Sequence, residues 1–284
     1  MTRLFNNRYT LARRAVQLIV LGLFIGTARL GWSIAGAPLL NGTLSASKIA
    51  GIIPLSDPLA MLERLAAGHL PTLTAGLGAV IVLVLYGFLG SRTFCGWVCP
   101  MNLVADAAEW CRRRLGLKAD VMRLSNKVRY GLLAAALLLS AVTGTAAFES
   151  VSPQAWIWRD LVFGTGLAAL SAASAVFAID LVLMKHGWCG HLCPLGAFWA
   201  LVGRVTRSPG IQIRFEDQAC NRCGDCLRVC PEPRVIHFAD LKTQGRIPAG
   251  ECLNCGRCVE ACRESALKFN LGPASPKRTS SDHP

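Results

Sequence analysis

Two stretches of identical cysteine spacing restrict what this chain can fold around. CNRCGDCLRVC runs from Cys220 to Cys230 and CLNCGRCVEAC from Cys252 to Cys262, each a C-x2-C-x2-C-x3-C run. Three thiolates this close come off one tight loop and bind three irons of a cubane [4Fe–4S] cluster. The fourth begins a helical turn, points away and serves the other cluster. The spacing predicts Cys220, Cys223, Cys226 and Cys262 around one cluster, and Cys252, Cys255, Cys258 and Cys230 around a second. Zinc usually takes two well-separated C-x2-C pairs, and disulfides belong to small domains in oxidising compartments. Eight cysteines in two matched runs, with Gly224 and Gly256 at equivalent places, suit neither. Pro231 follows the first run but Arg263 the second, a departure that affects turn shape and no ligand.

Composition sets the surroundings of these clusters. Of 284 residues 52% are hydrophobic and only 17% charged, and the mean hydropathy is +0.41. That is too apolar for an ordinary soluble chain and predicts an α-helical membrane protein. Four apolar runs are long enough to span a bilayer, at about 15–34, 73–89, 130–148 and 161–184. The expected plan is an N-terminal tail (1–14) and a four-span membrane domain of two helix hairpins (15–203). A dicluster ferredoxin-like α+β domain (204–271) and a disordered tail (272–284) follow.

The net charge of +13 reads as orientation in the membrane. No stretch interleaves aromatics with basic residues as a nucleic-acid groove does, so no nucleic-acid partner is expected. The N-terminal tail and the 91–129 loop carry twelve Lys and Arg, against three (Lys48, Arg64, Arg159) in the 35–72 and 149–160 loops. The positive-inside rule then puts both termini, and both clusters, in the cytoplasm. Arg13–Arg14 before the first run raises a twin-arginine export signal. The run is long for a signal core and no small-residue cleavage site follows, so it reads as an uncleaved anchor. Arg29 near its far end snorkels to the interface. Ser56-Asp57-Pro58 starts a short amphipathic helix that Gly68 ends, expected to lie on the membrane surface. Trp156 and Trp158 mark an interfacial belt.

The second and fourth runs end alike, in FCGWVCPM and WCGHLCPL. Two C-x3-C-P motifs bring Cys95, Cys99, Cys189 and Cys193 to the cytoplasmic edge, where helical i, i+4 spacing puts each pair on one face. A further metal or cluster site, a redox dithiol pair and simple packing by small cysteines all remain open. Cys111 has no partner in sequence. Three other residues are candidates for proton chemistry. Asp180 lies inside an apolar run, where a carboxylate is costly. It either takes a proton or orients His186, or it pairs with Lys185 or a loop arginine. His69 precedes Pro71 at a membrane edge, as a proton acceptor or as a solvent-exposed histidine. No nucleophile–base constellation for hydrolysis is present.

PLSDPLAMLERLAAGHLP (54–71), FCGWVCPMN (94–102), HGWCGHLCPLGA (186–197) and CNRCGDCLRVCPEP (220–233) together resemble the NapH-type membrane ferredoxins of periplasmic nitrate reductase systems. The resemblance covers nearly the whole chain. Its last two segments are specific, whereas the four-span plan recurs in methylamine-utilisation, nitrous-oxide-reduction and oxidase-assembly relatives. It implies a multi-pass subunit in the lipid of the bacterial cytoplasmic (inner) membrane. Two [4Fe–4S] clusters would carry electrons from quinol, as part of a quinol dehydrogenase. The implied partner is a NapG-like periplasmic iron–sulfur subunit leading to a nitrate reductase. The rival is a cluster-containing assembly factor for a reductase. The orientation yields a first test: a reporter fused after Pro284 shows only cytoplasmic-type activity, and a periplasmic readout overturns the charge count.

Overall fold

The computed structural model describes residues 7–272 apart from 35, 118, 119, 123, 208, 209 and 249. The expected disordered tail from 273 on, and Arg3, Lys118 and Arg123 of the charge count, lie outside the described residues.

The first helix, α1 (Arg8–Leu30), begins earlier than the apolar run, so residues 8–14 are its first two turns and not a tail. The reason is a distant cap. First-turn N–H groups have no partner within a helix, and those of Tyr9 and Thr10 donate to the carboxylate of Glu260, at 2.5 and 2.9 Å. At the other end Arg29 donates to the carbonyls of Leu161 and Gly164.

A three-stranded antiparallel sheet follows, β1 (Leu40–Gly42), β2 (Ala46–Ile49) and β3 (Ile53–Ser56). It leads into α2 (Pro58–Ala66), which starts as its sequence predicts. Asp57 accepts the N–H of Leu59 at 2.9 Å, Pro58 opens the first turn, and Gly68 (φ +81°) follows its end. One face of it is buried in the helical bundle. Leu59, Met61 and Glu63 are buried, and α2 packs between α3 (Leu73–Leu89) and α6 (Val128–Thr143). The carboxylate of Glu63 accepts the N–H groups of Phe148 and Glu149, at 2.8 and 3.1 Å. A polar residue with two backbone partners is held inside at little cost. β3 runs along α3, and a Cβ on Gly78 would stand 3.1 Å from the Pro54 carbonyl, so a larger residue there would push the two apart by a few tenths of an ångström.

Beyond α3 come the short α4 (Thr93–Trp97) and then α5 (Met101–Arg114). After α6 come α7 (Ala147–Val151), α8 (Pro153–Phe163) and α9 (Leu167–Ala178). A π-helical turn (Ile179–Leu183) extends α9, and a second (Trp188–Leu192) precedes α10 (Pro194–Thr206). The fourth apolar run is therefore broken at Gly164–Gly166, where Asp160 accepts the N–H of Ala169 at 2.8 Å and starts a new helix. Trp158 is not part of an interfacial belt but sits buried edge-on to Phe24, with ring centroids 4.9 Å apart. Trp156 is exposed and donates to the Ser150 carbonyl.

The internal repeat is longer than the cysteine motif. Asp57-Pro58-Leu59-Ala60 and Ser152-Pro153-Gln154-Ala155 each start a short helix that leads into an apolar helix, a C-x3-C-P turn and a further helix. The halves interlock reciprocally: α1 packs on α8 as α2 packs on α6, and α3 on α10 as α5 on α9.

Among the described residues one helix, Arg8–Leu30, is long and apolar enough to cross a membrane by itself; Leu73–Leu89, Val128–Thr143 and Leu167–Leu183 are apolar but shorter. Their large apolar side chains point outward, as with Leu77, Val80, Val84 and Phe88 on α3 and Leu138, Leu139 and Val142 on α6. Small or polar residues face inward, among them Gly78, Gly87, Ala136 and Ser140.

The ferredoxin-like domain is closed by an antiparallel pair of strands, with α11 (Asp225–Val229), α12 (Phe238–Gln244) and α13 (Arg257–Ala261) between them. β4 (Ile211–Phe215) and β5 (Leu267–Leu271) pair with Ile213 opposite Phe269. Ile213, Phe215, Leu241, Ile247 and Leu267 fill the core around the cysteines. Replacing Glu63 by Ala strands two buried N–H groups and costs about 1–3 kcal/mol. The readout is a lowered thermal midpoint in detergent, with E63Q retaining most of the stability.

Candidate metal centre

The two cysteine runs fold alike. In each, a residue and a glycine with positive φ turn the loop, Arg222 (+59°) and Gly224 (+79°) in the first, Asn254 (+48°) and Gly256 (+78°) in the second. A one-turn helix follows and carries the chain to the fourth cysteine. Cys220, Cys223, Cys226 and Cys262, the set expected from spacing, line one cavity of about 180 Å³. Cys230, Cys252, Cys255 and Cys258 are buried and face one another. Burial, with Cys255 adding to it, pushes the Cys252 thiol up to about 12. Burial likewise holds Cys258 well above its ordinary value, with Cys255, Cys252 and Cys230 adding to the effect. Iron binding at such a site must displace protons. Backbone N–H groups already donate to the sulfurs, Asn254 to Cys252 at 3.4 Å and Ala266 to Cys262 at 3.2 Å, the contacts that tune an iron–sulfur cluster.

The spacing of sulfurs separates the metals. Tetrahedral zinc at about 2.3 Å from each sulfur needs its thiolates about 3.8 Å apart. Among the described residues, the one group of ligand atoms all within 4.8 Å of one another is Asp106, Glu109 and His186, and it contains no cysteine. The wider spacing suits a cluster in which each thiolate binds its own iron. The Asp106–Glu109–His186 group is saturated with cations. Arg13 and Arg14 meet Asp106 at 2.8 and 2.9 Å, Lys185 and Arg257 meet Glu109 at 2.9 and 2.7 Å, and Arg257 also pairs with Asp106. It is an ion-pair hub rather than a metal site.

Cys95, Cys99, Cys189 and Cys193 also come together, although they do not form the two helical i, i+4 faces expected. Cys95 lies on α4, Cys99 just beyond it, Cys189 in a π-helical turn, and Cys193 caps α10. Pro100 and Pro194 force this, since proline opens a helix readily and cannot continue one. Burial raises the Cys99 thiol, and Cys95 and Cys193 raise it further; burial pushes Cys193 up to about 11, with Cys95 adding. Cys99 donates to Gln154 Oε1 at 3.5 Å from the start of α8. Cys111 is half-buried on α5 and belongs to neither group.

Spacing did not reveal the joint between these two regions. Arg92 is fully buried and donates to Glu232 at 3.2 Å, to the carbonyl of Glu251 at 2.8 Å and to that of Cys189 at 3.3 Å. Arg129, also buried, pairs with Glu232 at 3.3 Å and with Glu251. Burial pulls the Arg92 guanidinium down, but Glu232 and Cys95 outweigh it and hold it above its ordinary value. Glu232 and Glu251 stand beside the cysteine runs, so these pairs tie the second cluster loop to the first C-x3-C-P turn. Trp97 donates to the Asn254 carbonyl at 2.9 Å and Asn254 to Thr93 at 3.1 Å. A Cβ on Gly96 would lie 2.6 Å from the Leu253 carbonyl. A Lys/Arg count treats Arg92 and Arg129 as topology signals; their place between an apolar run and acidic residues flanking cysteines was the available clue.

Two of the proton candidates are neighbours and the third lies apart. Asp180 is 1% exposed, accepts the N–H of Trp188 at 2.9 Å, and its other oxygen has no partner among the described residues. It does not pair with Lys185, which reaches Glu109. His186 is buried and bonded to Glu109 at 3.1 Å. His69 is exposed, away from both, and its Nε2 meets the Gly144 carbonyl at 3.0 Å.

Comparison with known proteins follows this geometry. A family described as a 4Fe-4S binding domain matches twice, at 72–118 and 165–212, over the two halves that end in C-x3-C-P, and a 4Fe-4S dicluster domain matches 212–263. The ferredoxin-type protein NapH of Escherichia coli is 42% identical over 92% of this chain and 89% of its own. That of Haemophilus influenzae is 40% identical over 94% and 91%. The methylamine utilization ferredoxin-type protein MauN of Methylorubrum extorquens is 41% identical over 91% and 88%. No solved structure matches. The joint is testable: Arg92→Ala leaves buried Glu232 short of a partner and costs about 3–5 kcal/mol. The expected readout is faster proteolytic release of the C-terminal domain, which R92A/E232Q slows again.

Proposed function

We propose that this chain, which belongs to the family of NapH- and MauN-type ferredoxin proteins, is the membrane iron–sulfur subunit of a quinol dehydrogenase. It would pass electrons from quinol toward a periplasmic nitrate reductase. The observation that carries the reading is a pair of four-cysteine sites docked by buried ion pairs onto helices whose outer faces are apolar.

Cys220, Cys223, Cys226 and Cys262 hold one [4Fe–4S] cluster, and Cys252, Cys255, Cys258 and Cys230 the other. Bound there, the clusters supply one-electron carriers, which suit the separation of a quinol's two electrons. The protein's part is placement: buried thiols set the ligands, backbone N–H groups reach the sulfurs, and Arg92 and Arg129 keep the domain against the helices.

Four membrane spans are part of the proposal. α3, α6 and the helix over Leu167–Leu183 have 16 or 17 residues each, about 25 Å at 1.5 Å per residue, at the short end for a hydrocarbon core of about 30 Å. Their outward leucines, valines and phenylalanine need lipid around them. For the two protons of quinol, Asp180 and His186 are favoured over His69. His186 is buried against Glu109, which lines a cavity of about 700 Å³ between α1, α5 and α13, and the buried Asp180 lies near His186.

NapH and MauN relatives match at nearly equal identity, so electron transfer through iron–sulfur centres is the common core and nitrate reductase is the finer part. The partner is a NapG-like periplasmic iron–sulfur subunit. The test is to add a quinol analogue to anaerobically purified protein with that partner and follow the clusters by EPR. Reduction of both signals is expected, with C223A and C255A each removing one. No reduction, together with loss of cofactor from the terminal enzyme on deletion, would make the chain an assembly factor instead.

A further inference from the structure

Five cysteines lie outside the dicluster assignment, Cys111 alone and four in the two C-x3-C-P motifs. Cys95 and Cys99 come from one repeat, Cys189 and Cys193 from the other, and the interlocked halves bring all four thiols into one buried group. As a small apolar residue a single cysteine packs well, but packing gives no reason for four to face one another. The family described as a 4Fe-4S binding domain matches each repeat separately. Each repeat brings only two of these cysteines, half of a four-thiolate ligand set, so the two matches meet in one site.

The surroundings suit an anionic centre. The guanidinium of Arg92 stands beside the group and is bonded to the Cys189 carbonyl. The short helices α2 and α8 begin there: Asp57 at the start of α2 opposes ionisation of Cys95, but Arg92 and Arg129 outweigh it, and Gln154 in the first turn of α8 accepts from Cys99. Both helices bring their positive ends to it. No three of the sulfurs lie within 4.8 Å of one another, which is too open for a single tetrahedral ion.

We infer that Cys95, Cys99, Cys189 and Cys193 together hold one iron–sulfur cluster, shared between the two repeats and distinct from the two of the ferredoxin-like domain. The inference rests on the iron–sulfur reading above and adds a site to it. On loading, the four thiols give up their protons and each sulfur binds iron. The position answers a problem of direction. On one side Gly96 of the first motif touches Leu253 of the second cluster loop. On the other, α2 and α8 arrive from loops that the charge count puts on the opposite face. The centre therefore stands between the dicluster domain and the face where a periplasmic acceptor would dock.

The experiment uses the full chain, purified anaerobically in detergent. Wild type should carry clearly more than the about eight irons of two cubanes, about twelve if the third is a cubane, and show an additional Mössbauer component. C95S and C193S, one from each repeat, should each lose that same component entirely, the double variant no more, with the dicluster signals intact. About eight irons and no additional component in wild type, zinc at the site, or single variants that lose different components each overturn the inference. If the serine variants do not fold, the wild-type iron content and spectrum decide alone. C223A separates the two readings: it should remove a dicluster signal and leave the additional component in place.

Discussion

Two buried arginines facing one buried and one half-buried carboxylate hold this molecule together. Arg92 and Arg129 come from the helical part, Glu232 and Glu251 from beside the cysteine runs. Each charge alone would be expensive inside the protein, and together they neutralise one another only when the ferredoxin-like domain sits in one place. The second hub, Asp106 and Glu109 with Arg13, Arg14, Lys185 and Arg257, repeats the device on the other side of the second cluster loop. Electron transfer between centres depends on fixed separations. Polar joints with directional hydrogen bonds fix a position in a way that apolar contact does not.

The same joints draw on part of the chain's basic character. Arg13, Arg92, Arg112 and Arg129 are buried and each has a carboxylate partner. The positive-inside count and the domain contact thus draw on the same residues, because the ferredoxin-like domain docks on the face where those arginines lie.

How much of this was legible in the sequence depends on the range over which each residue acts. The two cysteine runs were legible because a cluster loop is local, and its spacing is a geometric requirement. The start of α2 was legible for the same reason: Asp57 caps it and Pro58 opens it within three residues. Its burial was not, because Glu63 finds its partners at Phe148 and Glu149, across the bundle. The early start of α1 depended on Glu260 and the burial of Trp158 on Phe24, both distant in sequence. Hydropathy joined α8 to α9 because it averages over Gly164–Gly166, where the chain turns. The repeat was visible as C-x3-C-P, but its earlier half shares only a proline and an alanine around a polar cap, too little to notice before the helices were seen in equivalent places.

The reciprocal packing of the two halves carries a lesson about origin and assembly. α1 leans on α8 and α2 on α6, so each half adds to its partner beyond the contacts it makes within itself, α2 with α3 and α8 with α9. This is the contact pattern of a two-fold symmetric dimer, in which the same patch on each subunit meets its counterpart. The connection after α5 then does little more than keep two such subunits on one chain. Neither half can bury its inner surface during synthesis until the other has emerged. The first half must wait, with that seam open, for the second.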